Sequence, residues 1–334
     1  MSKKVTINDV AKLANTSKTT VSFYLNGKYD KMSETTRVRI QQAIQETDYK
    51  PSIIARGLTS KQTKLIGVLI GDITNSFSNQ ILKGIEEAAN DKGYQVIIGN
   101  SDYSQTSEDR YIESMLQLGV DGFVIQPTSN FRKYSRIINE KNKKIVFFDS
   151  QLYEYNSNWV KTNNYDAVYD TIQSCIKKGY EKFILITADP SRLSTRIERT
   201  SGFIDALTDV HKSYSELIIS DVQTDVGELE TFLKQEIDAE KPTLIFAPNC
   251  WALPLVYTTM KNLGCDMPRV GLLGFDNTEW SNLASPTVST IVQPAFEEGS
   301  KATHILIDDI QGLNEEEKHQ VLNCYVNWNE STNL

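Results

Sequence analysis

The 334-residue chain has few residues of the kind that build a covalent or metal-held scaffold: four cysteines and three histidines. Cys175, Cys250, Cys265 and Cys324 lie far apart and form no metal-ligand spacing. They fit a reducing cytosol, as small buried apolar side chains. Long apolar runs are missing too, and none approaches the ~18 residues of a membrane span. The start, MSKKVTIND, is basic but has no apolar stretch behind it, so it does not read as a secretory signal. These absences give the expectation of a soluble cytoplasmic protein. There is no Gly-rich phosphate loop and no G-x-G-x-x-G. His211, His304 and His319 stand apart from any Ser or Cys motif, so catalysis and cofactor chemistry have no residues to carry them.

Charge is present, but unevenly. The whole chain is −8, yet residues 1–64 hold 12 Lys+Arg against 5 Asp+Glu. A basic head on an acidic body is what a nucleic-acid reader shows.

That head contains TINDVAKLANTSKTTVSFYLN, Thr6 to Asn26. Thr6 followed three residues later by Asp9 is a helix start with an acidic capping partner. Ile7, Val10, Ala11, Leu13 and Ala14 share a helical face. Asn15-Thr16 breaks the pattern, and Ser17 caps a second helix whose apolar side is Val21, Tyr24 and Leu25. Ala11 is small enough for close helix crossing. Lys18, Thr19 and Ser22 face outward near the second helix's N-terminus, where a phosphate or base edge is met. The pattern is a helix-turn-helix. Ser33 caps a third helix over Thr35 to Thr47, so residues 1–50 form an all-α head. Residues 51–63, PSIIARGLTSKQT, predict a short helix weakened by Gly57 and folding only when docked. Its apolar side, beside Arg56 and Lys61, has the make-up of a minor-groove wedge.

From Lys64 the texture changes. Leu65 to Ile70 is a continuous apolar run, as in a strand buried on both faces. Strands and helices then alternate to Phe275, which predicts doubly wound parallel sheets in two α/β lobes over residues 64–334. The chain is expected to cross between lobes near 150–162 and 275–293. Ala295 to Gln311 reads as a helix returning to the first lobe. Ligands in such a body bind beyond the carboxyl ends of the strands. Those ends carry Asp72, Asn75, Phe77, Asp102, Gln126, Asp149, Asp189, Asn249 and Asp276. Trp251, Trp280, Phe77 and Tyr103 suit the C–H faces of a sugar. Arg192, Arg196 and Arg199 cluster after a second-lobe strand, and a guanidinium in a cleft favours a carboxylate or phosphate.

The segments TINDVAKLANTSKTTVSFYLNG, YKPSIIARGL, KLIGVLIGDITNSF, GFDNTEW and TIVQP, in this order, resemble the LacI/GalR family of bacterial transcription regulators. The resemblance covers nearly the whole chain. It implies a periplasmic-binding-protein-like body and a second helix in the major groove of a palindromic operator, with Lys18 and Thr19 at base-reading positions. The DNA-facing set it implies is Thr6, Ser17, Lys18, Thr19, Thr20, Ser22, Phe23, Asn26, Tyr49, Ala55, Arg56 and Leu58. Leu58 matches the inserted leucine. At Phe23 the family commonly has an arginine that contacts guanine, so the half-site here is expected to differ. The implied effector set is Asn75, Phe77, Asp149, Arg196, Arg199, Asn249, Trp251, Asp276, Trp280 and Gln293. The wording around DNTEW and TIVQP looks closest to regulators of 2-keto-3-deoxygluconate and polyuronide or glycosaminoglycan breakdown, which implies an acidic sugar effector. The expected protein is a homodimeric repressor of carbohydrate utilisation. The rivals are a solute-binding protein and a sugar-acid enzyme on the same body. The basic head argues against the first, and the lack of a cofactor loop or nucleophile–base pair against the second.

Overall fold

The computed structural model describes residues 5–50, 62–128, 131–151, 157–221, 224–238, 240–276, 278–313 and 318–334. The chain divides into two units between Thr63 and Lys64. The segment carrying Ala55, Arg56 and Leu58 lies outside the described residues.

In the first unit, α1 (Ile7–Leu13), α2 (Lys18–Leu25) and α3 (Glu34–Thr47) enclose Val10, Ala11, Ala14, Val21, Ile40 and Ala43. Local side chains start each helix. The Thr6 N–H donates to Asp9 Oδ2 at 2.8 Å, completing a capping box. Ser17 Oγ accepts the Thr20 N–H at 3.1 Å, and Ser33 Oγ accepts that of Thr36 at 3.3 Å. Asn15 makes the turn at φ 47°, a left-handed geometry that Asn tolerates. Leu13, expected on the buried face, is 51% exposed at the last position of α1.

The second unit holds two sheets of like winding. The first contains β1 (Leu65–Ile70), β2 (Gln95–Asn100), β3 (Gly122–Ile125), β4 (Lys144–Phe148), β5 (Asn158–Thr162) and β11 (His319–Leu322), ordered β11-β5-β4-β3-β1-β2. The second contains β6 (Lys182–Ala188), β7 (Tyr214–Ile219), β8 (Thr243–Ala247), β9 (Val270–Phe275), β10 (Ser289–Val292) and β12 (Tyr325–Asn327), ordered β12-β10-β9-β8-β6-β7. Every described pairing is parallel except β10–β12. Central strands with a layer on each face bury both sets of side chains, which is why they read as unbroken apolar runs. On one face of the first sheet Val68, Ile70 and Val146 meet Ile81 and Ile85 of α4 (Ser76–Asp91) and Leu306 of α11 (Ala295–Gln311). On the other face Phe123, Ile125 and Phe147 meet residues of α5 (Gln105–Leu118) and α6 (Arg132–Glu140). In the second lobe α7 (Asn164–Lys177) and α8 (Ser194–Thr208) cover one face, and α9 (Val226–Glu236) and α10 (Leu253–Asn262) the other.

α11 returns to the first lobe as expected and lies unusually close to α4. A Cβ on Gly299 would stand 2.2 Å from the Ile81 carbonyl oxygen, and one on Gly84 2.0 Å from that of Phe296. Only glycine admits that backbone approach.

The structure corrects the crossovers. Residues 158–162 pair with β4 and β11, so the first crossing falls at Thr162–Asn164, beyond most of the 150–162 stretch. The second comes at Gln293–Ala295, because Ser289–Val292 is still a strand of the second sheet. A third, between β11 and β12, went unread in the sequence. Two short strands carry little periodicity, and their partners are over 150 residues away in one case. α8 starts at Ser194, in the polar stretch STRIER, which has no apolar period to mark it.

Candidate functional site

Two surfaces hold the candidate residues, one in each unit. In the head, Lys18 and Thr19 are exposed in the first turn of α2, and Thr6 and Ser17 are exposed at helix caps. Exposed amide groups at a helix start, beside a lysine, suit a phosphate or base edge. The remaining head candidates also have local work. Thr20 Oγ1 lies 2.8 Å from Ser17 Oγ, and Asn26 Nδ2 donates to the Ser22 carbonyl at 2.8 Å. Tyr49 packs against the head core. Phe23 is half-buried and lies outside that core, so its ring is available at the helix surface.

In the body, the strand ends of both lobes converge on a cleft lined by Asn75, Phe77, Tyr103, Gln126, Asp149, Leu193, Thr195, Arg196, Arg199, Asn249, Cys250, Trp251, Asp276 and Gln293. Nine of the ten effector candidates are there, Trp280 being the exception. Trp280 packs edge-on against Tyr257, 5.1 Å between ring centres, in a second-lobe core cluster. The sequence signal for Trp280 was an aromatic after a strand end, and nothing local distinguishes a core aromatic from a cleft aromatic. Leu193, Thr195 and Cys250 were missed, although each adjoins a candidate or lies in the arginine stretch. Asp72 and Asp189 instead serve their own turns, accepting from Thr74 and Ser191.

The two lobes present matching acids. Asp149 follows β4 with φ 66°, and Asp276 follows β9 with φ 53°. Both are in the left-handed region, where strain clusters at functional sites. Asp149 Oδ2 accepts Gln126 Nε2 at 2.8 Å, and Gln126 Oε1 in turn accepts the Gly71 N–H at 2.9 Å. Asp276 Oδ1 accepts the Gln293 N–H at 2.8 Å. Burial pushes the Asp276 carboxyl up to about 7, while Arg199 and the Gln293 N–H oppose the rise.

Arg199 is the hub. It donates from Nε to Asn164 Oδ1 at 2.8 Å, from Nη1 to the Pro248 carbonyl at 2.9 Å and from Nη2 to Gln293 Oε1 at 2.7 Å. Its guanidinium lies 3.6 Å over the Phe275 ring. All three acceptors are neutral, so among the described residues no carboxylate is hydrogen-bonded to it. Arg196, one turn earlier on α8, is paired: Nη1 meets Asp221 Oδ1 at 3.0 Å. Arg192 shares that aspartate at 2.8 Å but is half exposed. The arginine cluster of the sequence therefore has two roles: Arg192 and the buried Arg196 pair with Asp221, while the half-buried Arg199 bonds to neutral acceptors. Asn249 Oδ1 accepts from the Ala188 N–H at 2.8 Å, which fixes its amide at the end of β6.

Contacts across the cleft hold it shut. Cys250 Sγ donates to Asn75 Oδ1 at 3.2 Å, Gln293 Nε2 donates to Thr162 Oγ1 at 2.8 Å, and Lys161 pairs with Glu198 at 2.6 Å. The space at its centre is about 50 Å³ and opens to its surroundings. Cavities of about 450 and about 300 Å³ flank it.

Comparison with known proteins finds a match for each unit. A family model described as "Bacterial regulatory proteins, lacI family" matches residues 6–52, and one described as "Periplasmic binding protein domain" matches 66–314. The HTH-type transcriptional regulator KdgR of Bacillus subtilis is 32% identical over 316 residues, covering 92% of this chain and 91% of that protein. The probable HTH-type transcriptional regulator EndR of Paenibacillus polymyxa is 30% identical over 328 residues, covering 97% and 95%. The solved lac repressor dimer bound to operator and an anti-inducer shares the fold, with TM-score 0.83, 23% identity and 99% of each chain covered. No helix among the described residues is long and apolar enough to cross a membrane. The chain belongs to the lacI family of bacterial regulatory proteins and is a DNA-binding transcriptional regulator, not an enzyme.

Proposed function

We propose that this regulator is a homodimeric repressor that holds a palindromic operator and is released by a small acidic sugar bound between its lobes. The observation that carries the ligand class is Arg199, a half-buried cleft guanidinium whose three hydrogen-bond acceptors among the described residues are all neutral. A sugar carboxylate gives it a charged acceptor, by two-pronged geometry. Asn75, Asp149, Asn249 and Asp276 surround it with the donors and acceptors that hydroxyl groups need. Phe77 and Trp251 give the sugar's C–H faces an apolar wall. The resemblance to a regulator named KdgR and to a repressor solved as a dimer on operator supports the same reading.

On the DNA side, Lys18 and Thr19 read base edges. Phe23 meets a thymine methyl or sugar where an arginine would meet guanine. Dimer symmetry matches operator symmetry. Leu58, with Ala55 and Arg56 beside it, enters the minor groove between half-sites. The effector has leverage only through a difference in its affinity for the DNA-bound and released forms. A change in the angle between the lobes on ligand binding supplies that difference.

The test is selection from random duplexes at about 0.1 M salt, where non-specific binding is largely screened. It is run with and without 2-keto-3-deoxygluconate and uronates. An enriched palindrome that a sugar acid abolishes is the expected result. Enrichment that only neutral sugars abolish refutes the acidic class, and an enriched single half-site refutes the dimeric operator.

A further inference from the structure

α11 carries a residue that its surroundings do not favour. Glu298 is fully buried, one position before the glycine that packs on α4. Its neighbours along the helix face, Ala295, Ala302 and Ile305, belong to an apolar core cluster. A carboxyl group among them is costly unless something satisfies it. One oxygen is satisfied: Oε1 accepts the Asp149 N–H at 2.6 Å. The other, Oε2, is buried without a hydrogen-bond partner. Asp149, at the cleft end of β4, shows the same defect. Its Oδ2 takes Gln126, while its Oδ1 is buried and unpartnered. Two residues already in contact thus each hold one orphan acceptor. A buried acceptor left unsatisfied costs about 1–3 kcal/mol. A single proton between the two orphans removes both defects.

We propose that Glu298 is a positioning residue for Asp149: Oε1 accepts the Asp149 N–H, and Oε2, carrying a proton, donates to Asp149 Oδ1. The acid groups facing Glu298 favour that proton. Burial pushes its carboxyl well above the usual range, and Asp149 and Asp276 push the same way. The Asp149 N–H and the more distant Arg199 oppose it. On α4, which packs against this helix, the charged Lys83, Glu86 and Glu87 pair with one another on the exposed side. Held by Glu298 at its N–H and Oδ1 and by Gln126 at Oδ2, Asp149 keeps one orientation in its left-handed backbone. In that orientation Asp149 lines the cleft. Glu298 touches no ligand and acts only through Asp149. The functional half of this proposal rests on the reading of the cleft as the effector site.

The full chain is compared with Glu298→Gln and Glu298→Leu. Glutamine keeps an acceptor for the N–H and offers an amide donor in place of the acid proton. Leucine suits the apolar surroundings but removes both contacts. Infrared spectra of the ligand-free chain at about pH 8.5, where a group titrating near 7 is ionised, should show the C=O stretch of a protonated carboxylic acid, lost in Glu298→Gln. No such band in the wild type overturns the proposal. In calorimetric titration with 2-keto-3-deoxygluconate, Glu298→Gln should bind within threefold of wild type, and Glu298→Leu at least tenfold more weakly. Equal binding by Glu298→Leu overturns the positioning role. If the wild type binds no sugar acid, the effector reading fails, and the infrared result decides the shared proton independently.

Discussion

Asp276→Asn should change how stability depends on pH, and by an amount set by the site. The folded carboxyl titrates at about 7, against an ordinary 3.8, because burial disfavours its charge. That difference corresponds to roughly 4 kcal/mol of preference for the neutral form. The sign follows from proton counts. Between pH 4 and 7 the folded chain holds a proton that the unfolded chain has released. Stability from this group is therefore present at low pH and is lost as pH rises through 7. Asparagine removes the linkage and keeps an oxygen for the Gln293 N–H, which Asp276 Oδ1 accepts at 2.8 Å. Relative to wild type, the variant should gain about 4 kcal/mol between pH 4 and pH 8. Urea denaturation followed by tryptophan fluorescence is the assay. Trp159, Trp251, Trp280 and Trp328 all lie in the body, so the head is silent. Stability curves that stay parallel within about 1 kcal/mol across that range would refute the reasoning. They would mean that Asp276 is ionised in the folded chain, with Arg199 compensating its burial.

Other substitutions test other parts of the argument. Arg199→Ala removes three hydrogen bonds and the stack on Phe275, so body stability should fall by about 3 kcal/mol. Its effector response should vanish while operator affinity persists, and a normal response in operator-release titrations would misplace the site. Gly299→Ala drives a Cβ to 2.2 Å from the Ile81 carbonyl oxygen, which should cost about 3 kcal/mol in the same urea assay. Phe23→Arg should shift the selected half-site toward guanine, whereas an unchanged sequence would mean that residue 23 does not face bases. Ser17→Ala deletes the cap on Thr20 N–H and should destabilise the head by about 1 kcal/mol, read by circular dichroism melting of the head transition.

The cleft was legible wherever position along a strand decides function. Asp149 and Asp276 were found because each ends a strand recognisable as an apolar run, and strand ends face the ligand side in this architecture. Arg199 came from the arginine cluster after a second-lobe strand and from the family resemblance. Trp280 failed because aromatics are equally at home in a core, and its partner Tyr257 sits on a different helix. Arg196 was read as a cleft cation, but its charge is taken by Asp221, 25 residues on and past another strand. Glu298 gave no signal at all: a glutamate early in a helix reads as a solvated residue favoured by the helix dipole.

What the sequence determined by itself is local. Thr6, Ser17 and Ser33 specify where the head helices begin, because a cap needs only a side chain within one turn of the amide it accepts. Unbroken apolar runs specify the buried parallel strands, because burial on both faces leaves no polar position. The tertiary structure alone decided which distant groups meet. It set β11 and β12 on separate sheets, gave Arg196 to Asp221, turned Trp280 into a core and laid Glu298 beneath Asp149. These pairings join residues separated by tens to hundreds of positions. Their identity follows from how the lobes pack, and no local pattern of side chains encodes it.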